Sequence, residues 1–208
     1  MKLRPCASLA LACMITPAIA TAQRFVGTTG PVTVSSPTRF DPSGLFEETF
    51  VSVGQDMFIA GQPSERGLRE MKARGVTTVV NLRSPEEMRE SVSFDEAALV
   101  KELGMKYVYL PVRGNTEFPY DTSTVAKFAD AVRSSNGKVL LHCTIAWRAS
   151  HLWAAYLIKE RGVDATAALT NARLINLMDE HHMGSGPQPV EEFLGRRLPE
   201  LRSGMRMP

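Results

Sequence analysis

Residues 139–150 read Val-Leu-Leu-His-Cys-Thr-Ile-Ala-Trp-Arg-Ala-Ser, and this stretch decides the fold. Its apolar start predicts a buried strand that ends at His142. Beyond the loop that follows, apolar residues recur on one face of a helix: Ala149, Leu152, Trp153, Tyr156 and Leu157. The sequence therefore predicts a strand, a short loop that starts at Cys143, and a helix.

The loop from Cys143 to Arg148 combines a nucleophile with an anion clamp. The first backbone N–H groups of a helix have no intrahelical partner, and the helix dipole places partial positive charge there. A loop wound around this point directs its N–H groups at a bound oxyanion and stabilises the thiolate of Cys143. Arg148 adds a planar, always-charged fork that can hold two phosphate oxygens. These residue types in this order predict attack of sulfur on phosphorus.

The rest of the chain alternates between strand-like and helix-like segments. Apolar runs predict strands at Met57–Ala60, Val76–Leu82, Met105–Val112 and Lys138–His142. Helices are predicted at 64–74, 93–103, 125–132, 149–157, 164–177 and 190–201, with Ser64, Ser93 and Asp164 at helix starts. This alternation predicts an α/β fold with a mostly parallel central sheet flanked by helices. Cys143 falls at the carboxyl end of a strand, where open α/β sheets bind ligands.

The N-terminus has the pattern of a secretory signal peptide. Lys2 and Arg4 precede an uncharged run, residues 6–20, and small residues at 20–22 supply a cleavage site. An uncleaved membrane anchor is the alternative, although the run is short for a transmembrane helix. We therefore expect a signal peptide at residues 1–22 and a periplasmic or secreted protein.

The remainder divides into a lead-in and one domain. Gly, Pro, Ser and Thr dominate residues 23–46 with little periodicity, which predicts an extended lead-in. Residues 47–208 then form a single domain, the number expected for a chain of 208 residues.

The balance of charges and the number of cysteines limit which partners and which disulfides we expect. Of the 24 basic side chains, two lie in the leader, so 22 remain against 22 acidic ones, and nothing indicates nucleic acid. After cleavage we expect no membrane partner. Of the three cysteines, Cys6 and Cys13 lie in the leader, so Cys143 cannot form an intramolecular disulfide. His181 and His182 stand in a Gly-containing stretch and are expected to be solvated, so we expect no metal and no cofactor.

The loop at the strand-to-helix turn resembles that of the cysteine-dependent protein tyrosine and dual-specificity phosphatases. Those usually place one residue more between Cys and Arg, whereas this chain places the four residues 144–147 there. The shorter loop is similar to that of the bacterial protein tyrosine phosphatase-like family often labelled beta-lactamase-hydrolase-like. Further landmarks of that family follow in order at 60–64, 75–83, 103–111 and 148–157, so that the resemblance spans roughly residues 53–177.

The resemblance implies hydrolysis of a phosphate monoester through a phosphocysteine, with Cys143 as nucleophile and Arg148 as clamp. The substrate would be a phosphorylated protein or a phosphorylated small molecule. Its binding residues would be His142, Thr144, Ile145, Ala146, Trp147 and Arg83. His142 either tunes the thiolate or orients the loop by hydrogen bonding. Arg83 either reaches the rim of the site or forms a surface salt bridge with Glu86 or Glu87.

Related phosphatases supply the general acid from an Asp on a loop upstream of the Cys. Here the corresponding loop offers Glu117 and Asp121. We prefer Glu117 because Asp121 also has the position of a helix N-cap. The segment Gly61-Gln62-Pro63 is expected only to shape a turn.

Two other functions compete with the phosphatase. A loop of this length is also similar to that of rhodaneses, in which the Cys carries a persulfide, so sulfur transfer is one alternative. The other is an anion-binding module without catalysis. It is suggested by the bulky Ile145 and Trp147 in the loop, and by Ala149 where the family commonly has a hydroxyl.

Overall fold

The computed structural model describes residues 32–178 and 186–203. The predicted signal peptide, with Cys6 and Cys13, and the pair His181–His182 lie outside the described residues. Among the described residues, no helix combines the length and the apolar character that a membrane span requires.

Six strands and eight helices make up the described part of the chain. The strands are β1 Pro37–Arg39, β2 Phe50–Val53, β3 Met57–Ala60, β4 Val76–Asn81, β5 Lys106–Tyr109 and β6 Lys138–His142. The helices are α1 Glu65–Ala73, α2 Pro85–Ser91, α3 Glu96–Glu102, α4 Thr122–Arg133, α5 Trp147–Arg161, α6 Ala165–Arg173, α7 Pro189–Leu194 and α8 Glu200–Ser203.

The strands form one sheet in the order β1-β2-β3-β6-β4-β5. The four strands β3, β6, β4 and β5 are parallel, whereas β1 and β2 join antiparallel at one edge. The predicted α/β fold with a mostly parallel sheet is confirmed. In this order β6 lies between β3 and β4, and His142 at its end pairs with Ala60 on one side and Asn81 on the other.

Helices cover both faces of the sheet. Successive residues of a strand point to opposite faces, and in β6 Leu141 lies in the larger core and Leu140 in the smaller one. The larger core contains apolar side chains of α4, α5, α6 and α7. The smaller core contains those of α1 and α3. Both cores hold β6 rigidly, so the loop that follows it starts from a fixed point.

The lead-in is part of this fold where the structure describes it. Residues 37–39 form β1 against β2. The rings of Phe40 and Phe46 pack against Phe50, with ring centroids 4.9 and 4.5 Å away. The packed part of the chain therefore begins before residue 47.

Several helices and strands begin or end at residues other than those predicted from the sequence. The N-cap of α3 is Asp95, whose carboxylate accepts from the N–H of Ala98 at 2.9 Å, and the prediction of Ser93 as the cap is wrong. β5 stops at Tyr109, and α6 ends at Arg173. The helix predicted at 190–201 is two short helices, because α7 ends at Gly195 in a left-handed conformation.

Helix α2 is absent from the predicted elements. It buries none of its residues, so its sequence lacks apolar periodicity. Its start nevertheless carries a capping box. The N–H of Ser84 donates to the Glu87 carboxylate at 2.8 Å, the N–H of Glu87 donates to the Ser84 hydroxyl at 3.3 Å, and Pro85 occupies the first turn.

Candidate active site

The loop between β6 and α5 has the form of an anion cradle. Ala146 adopts a positive φ of 70°, which is rare for a residue other than Gly, and α5 starts there without a side-chain cap. The carbonyl of Thr144 accepts from the N–H of Gln62 at 2.7 Å, and that of Ile145 from Asn176 Nδ2 at 2.5 Å. The N–H groups of Thr144 and Ile145 donate to no acceptor in the described part of the chain. They are therefore available to an oxyanion.

Gly61, directly after β3, allows the backbone of this segment to lie close to the loop that starts at Cys143. A Cβ atom on Gly61 would lie 1.9 Å from the carbonyl oxygen of Glu47 and 2.8 Å from that of Thr144. No side chain fits between these backbones, so Gly61 is required for the close approach. The segment expected to shape a turn thus also holds the loop.

Cys143 lies at the bottom of an open pocket. Its side chain is buried with 1% exposure and forms no disulfide. The pocket has a volume of about 340 Å³ and is lined by Cys143, Thr144, Ile145, Trp147 and Arg148. The structure thus brings the predicted nucleophile, the predicted clamp and three of the predicted binding residues to one cavity.

Arg148 is held by a carboxylate that sequence reasoning did not assign to the site. Its Nη2 donates to Glu87 Oε1 at 2.6 Å and its Nη1 to Glu87 Oε2 at 2.9 Å. Nη1 also donates to the carbonyl of Val112 at 2.8 Å, and Nη2 to Thr144 Oγ1 at 3.0 Å. Only Nε has no acceptor among the described residues. The N–H groups of both terminal nitrogens are therefore engaged, and a phosphate that binds Nε and Nη2 together would take the place of the Thr144 hydroxyl at Nη2.

Glu87 and Arg148 form a largely buried ion pair whose mutual attraction shifts the pKa of both groups. Burial alone would raise the pKa of Glu87, but the hydrogen bonds from Arg148 and the Ser84 backbone, with the charges of Arg148 and Arg83, lower it to about 2. Burial acts to lower the pKa of Arg148, but its hydrogen bonds to Glu87 and the charge of Cys143 raise it above its usual value. Both groups are therefore charged throughout the neutral range.

Arg83 lies behind the loop, with 3% of its surface exposed. Its Nη1 donates to Gln62 Oε1 at 2.8 Å and its Nη2 to the backbone carbonyl of Glu87 at 3.2 Å. The carboxylate of Glu87 faces Arg148, and that of Glu86 pairs with Arg113. Arg83 therefore forms no surface salt bridge, and it contributes a buried positive charge that interacts with Cys143.

His142 is fully buried and does not line the pocket. Its Nε2 lies 3.0 Å from Oε1 of Glu96, and both side chains have no exposed surface. Glu96 also accepts from Gln62 Nε2 at 2.6 Å and from Asn81 Nδ2 at 3.1 Å. His142 thus contacts a buried polar network beneath the nucleophile.

Comparison with known proteins places this geometry in a family. A model of the family described as "DSP-PTPase phosphatase fused to NAD+ Kinase" matches residues 48–185, which is more than half of the chain. The chain belongs to this family. The loop from Cys143 to Arg148 lies within the matched range, and the resemblance to cysteine-dependent phosphatases is confirmed.

Curated relatives agree with this membership. The "Beta-lactamase hydrolase-like protein" of Xylella fastidiosa, from strains Temecula1 and 9a5c, is 30% identical over 105 residues, 50% of this chain. The aligned stretch is 24% of that protein, so the chain spans about a quarter of the length of the curated relatives it matches.

Solved structures share the fold at low sequence identity. P. aeruginosa TpbA, as a Cys-to-Ser variant in complex with phosphotyrosine, superposes with a TM-score of 0.54 at 20% identity. The match covers 82% of this chain and 96% of that one. PTPMT1 in complex with PI(5)P superposes with a TM-score of 0.54 at 16% identity, over 72% of this chain and 92% of that one. Both show that this family member has the fold of cysteine-dependent phosphatases.

The two candidate acids of this phosphatase domain lie outside the pocket of Cys143. Glu117 is exposed and lines a neighbouring pocket of about 270 Å³ between α2 and the loop that follows β5. The carboxylate of Asp121 caps α4 by accepting from the N–H groups of Ser123 and Thr124 at 2.7 and 3.1 Å. The hydrogen bond with the Ser123 side chain, followed by those with the backbone, lowers the pKa of Asp121.

Trp147 is half-buried at the side of the pocket. Its ring meets that of His151 edge-on, with centroids 4.7 Å apart, so it borders the cavity and packs on α5 at the same time.

Sequence reasoning missed Gln62, Glu87 and Glu96 as parts of the site. The capping box at Ser84 and Glu87 was a local signal for the position of α2, but no local signal joins Glu87 to Arg148.

Proposed function

We propose that this protein is a phosphatase that hydrolyses phosphate monoesters through a phosphocysteine intermediate. The Cys143 sulfur attacks phosphorus, the S–P bond forms, the ester P–O bond breaks, and the leaving oxygen takes a proton. Water then attacks phosphorus and breaks the S–P bond, which releases inorganic phosphate and restores the thiolate. The loop N–H groups and Arg148 stabilise charge on the equatorial oxygens.

One observation supports this function above an anion-binding module without catalysis. Cys143, the unengaged N–H groups of Thr144 and Ile145, and the guanidinium of Arg148 all border one open pocket. A binding module without catalysis would need the N–H groups and the guanidinium, but not a thiol at the bottom of the cavity.

Turnover of p-nitrophenyl phosphate by wild type, Cys143→Ser and Cys143→Ala tests the proposal. We expect both variants to lose turnover, because neither side chain forms a thiolate, and to keep the melting temperature. A rapid quench of wild type should trap a peptide that contains Cys143 with one added phosphoryl group. Wild-type turnover in the Ser variant would contradict the mechanism. Sulfur transfer from thiosulfate to cyanide, with no phosphate release, would favour the rhodanese-like function.

The apolar residues that line the pocket favour aryl phosphates as the substrate class. Ile145 and Trp147 present apolar surface beside the phosphate loop, and an aromatic leaving group could stack on the indole with a gain of roughly 1 kcal/mol. P. aeruginosa TpbA, which shares the fold, is described in complex with phosphotyrosine. Aryl phosphates such as phosphotyrosine are therefore our preferred substrates. Trp147→Ala should lower the ratio of aryl to alkyl phosphate turnover, and an unchanged ratio would contradict this preference.

We also propose that the protein acts outside the cytoplasm. The basic start, the uncharged run 6–20 and the small residues 20–22 support export. Intact mass measured on protein from the periplasm or medium should show an N-terminus at residue 21 or 23. Recovery of only the full-length chain, in the cytoplasm, would contradict export.

A further inference from the structure

Two carbonyls of the loop between β6 and α5 are held by residues outside the loop. The carbonyl of Thr144 accepts from the backbone N–H of Gln62 at 2.7 Å. The carbonyl of Ile145 accepts from Nδ2 of Asn176, which lies 31 residues further along the chain, at 2.5 Å. The first contact uses backbone atoms, which every residue except proline can supply. The second contact needs a side-chain donor, so it depends on the identity of Asn176.

Asn176 follows the end of α6 and is held in a fixed position. Its backbone N–H donates to the carbonyl of Ala172 at 3.1 Å. Its neighbours Ile175 and Leu177 are buried in the larger core. Nη2 of Arg39, on β1, donates to the carbonyl of Ile175 at 2.5 Å. The side-chain amide of Asn176 is therefore presented to the loop by packed and hydrogen-bonded backbone.

The carbonyl that Asn176 binds belongs to the peptide just before a strained residue. Ala146 has a φ of 70°, a left-handed conformation that an alanine keeps only when its surroundings hold it. On the other side of this residue, the carbonyl of Ala146 accepts from the N–H of Ser150 at 2.9 Å. Asn176 thus holds the peptide before Ala146, and the first turn of α5 holds the peptide after it.

The orientation of this carbonyl affects how well the pocket binds an anion. A carbonyl oxygen carries partial negative charge and repels an oxyanion, whereas backbone N–H groups attract one. Ile145 lines the pocket of Cys143. Because Asn176 is not among the residues that line this pocket, the bonded carbonyl oxygen is directed at a group outside the pocket. Without the amide, the peptide could rotate, relieve the strain at Ala146 and change the shape of the loop.

We propose that Asn176 is a positioning residue that keeps the loop from Cys143 to Arg148 in its anion-binding form. It does so by holding the carbonyl of Ile145, which maintains the left-handed conformation of Ala146. Asn176 touches no substrate and acts only through the loop backbone. Its effect on turnover rests on the proposed phosphatase function, whereas its effect on anion binding does not.

Calorimetric titration with inorganic phosphate measures the anion affinity of the loop directly. In Asn176→Ala we expect the dissociation constant for phosphate to rise about tenfold, because a hydrogen bond that holds the binding conformation is lost. The kcat/KM for p-nitrophenyl phosphate should fall at least as far, since the transition state depends on the loop more than the bound product does. If the alanine variant does not fold, Asn176→Ser, whose hydroxyl is too short to reach the carbonyl, should give the same result.

Asn171→Ala is the matched control on the same helix. Asn171 has 4% exposure, accepts from Trp153 Nε1 at 2.9 Å and donates to the carbonyl of Ser35 at 2.8 Å. Its loss removes two hydrogen bonds, so the melting temperature should fall at least as far as in Asn176→Ala. Both partners of Asn171 lie outside the loop, so the dissociation constant for phosphate should stay within about twofold of wild type.

Ala146→Gly distinguishes positioning of the loop from general support of the fold. Glycine adopts a positive φ without strain, so the loop should keep its conformation more easily when the Asn176 contact is absent. The rise in the dissociation constant between Ala146→Gly and Ala146→Gly/Asn176→Ala should therefore be about threefold instead of tenfold. A rise of the same size in both backgrounds would overturn the proposal.

Two further results would overturn the proposal. One is an unchanged dissociation constant in Asn176→Ala, and the other is an equal rise in Asn171→Ala. Turnover separates this inference from the proposed function. Weaker phosphate binding in Asn176→Ala, with no turnover by wild type, would remove only the function. Turnover by wild type, with phosphate affinity and kcat/KM unchanged in Asn176→Ala, would remove only the role of Asn176.

Discussion

At the scale of single residues, the clamp depends on the shape of Arg148 as well as its charge. Its guanidinium bridges Glu87, the carbonyl of Val112 and the hydroxyl of Thr144. These contacts fix the plane of the guanidinium, so its Nε, which has no acceptor among the described residues, is oriented before any ligand arrives. Glu87 is thus the residue that orients the clamp.

Arg148→Lys should therefore be nearly as damaging as Arg148→Ala. An ammonium is a point charge that cannot bind Glu87 and a phosphate in one plane. Loss of this transition-state contact costs on the order of 3 kcal/mol, about a hundredfold in kcat. Steady-state kinetics should show this fall, whereas Arg133→Lys in an exposed ion pair should leave kcat unchanged. A kcat of the Arg148→Lys variant within about threefold of wild type would show that geometry is unimportant.

Glu87→Gln should destabilise the protein in a pH-dependent way. Because the pKa of Glu87 is about 2 in the folded state and 4.5 ordinarily, its contribution is complete above pH 4.5 and is lost as pH falls towards 2. The carboxylate is partly screened by solvent, so we expect a loss of about 1–2 kcal/mol at pH 7.

Urea denaturation from pH 7 to pH 3 measures this difference, which should shrink below pH 4.5. Gln can still form the capping box with Ser84, so the change isolates the charge. Glu86→Gln, on the same helix but in an exposed pair with Arg113, should cost less than about 0.5 kcal/mol. A constant difference across pH would contradict the ion-pair account.

At the scale of elements, the loop after β5 carries the candidate acids but does not present them to the pocket. The N–H groups of Arg113 and Gly114 both donate to the carbonyl of Phe118, at 2.7 and 2.9 Å, and close the loop on itself. Gly114 has a φ of 75°, and a Cβ there would lie 2.5 Å from the ring of Tyr120. Glu117 therefore needs a swing of this loop to reach a leaving group over Cys143.

Glu117→Gln should slow alkyl phosphates more than aryl phosphates. An alkoxide needs a proton as it leaves, whereas a phenolate leaves with little help, so we expect at least a tenfold fall for alkyl and less than about threefold for aryl substrates. Asp121→Asn should leave both rates and the stability unchanged, because Asn caps a helix as well as Asp. Parallel assays of wild type and both variants with phenyl and alkyl phosphates measure these rates. Equal slowing, or none, would remove Glu117 from the mechanism.

At the scale of the whole molecule, the phosphate loop links ligand binding to global stability. The loop starts at β6, between β3 and β4, and is bonded to the segment after β3 through Gln62. An anion that binds the folded loop has no equivalent site in the unfolded chain. Its binding free energy therefore adds to the stability of the whole domain.

Inorganic phosphate should consequently raise the melting temperature. At about 100 times its dissociation constant it adds about 2.7 kcal/mol, or roughly 5–10 °C for a domain of this size. Cys143→Ser should keep the shift and Arg148→Ala should lose it, with sodium chloride at equal ionic strength as the control. A shift of the same size in Arg148→Ala would show that phosphate stabilises the protein elsewhere.

The sequence by itself determined what lies within a few consecutive residues. The strand, the loop and the helix around Cys143 and Arg148 are contiguous, so apolar periodicity and the helix-terminus argument predict them together. Ser64 and Asp164 cap their helices as predicted, because a cap bonds only to its own first turn. Asp95 took the place of Ser93 because two capping residues competed within one segment.

Only the tertiary structure decided which distant residues support the loop. Glu87 lies 61 residues from Arg148, and Glu96 lies 46 residues from His142. Their contacts exist because β6 inserts between β3 and β4, so that the ends of three strands and the starts of α2 and α3 meet at one edge of the sheet. Local patterns encode periodicity and caps but not strand order, which is set by how both faces of the sheet are packed. The packing of helices and strands therefore determines which distant residues contact Arg148 and His142.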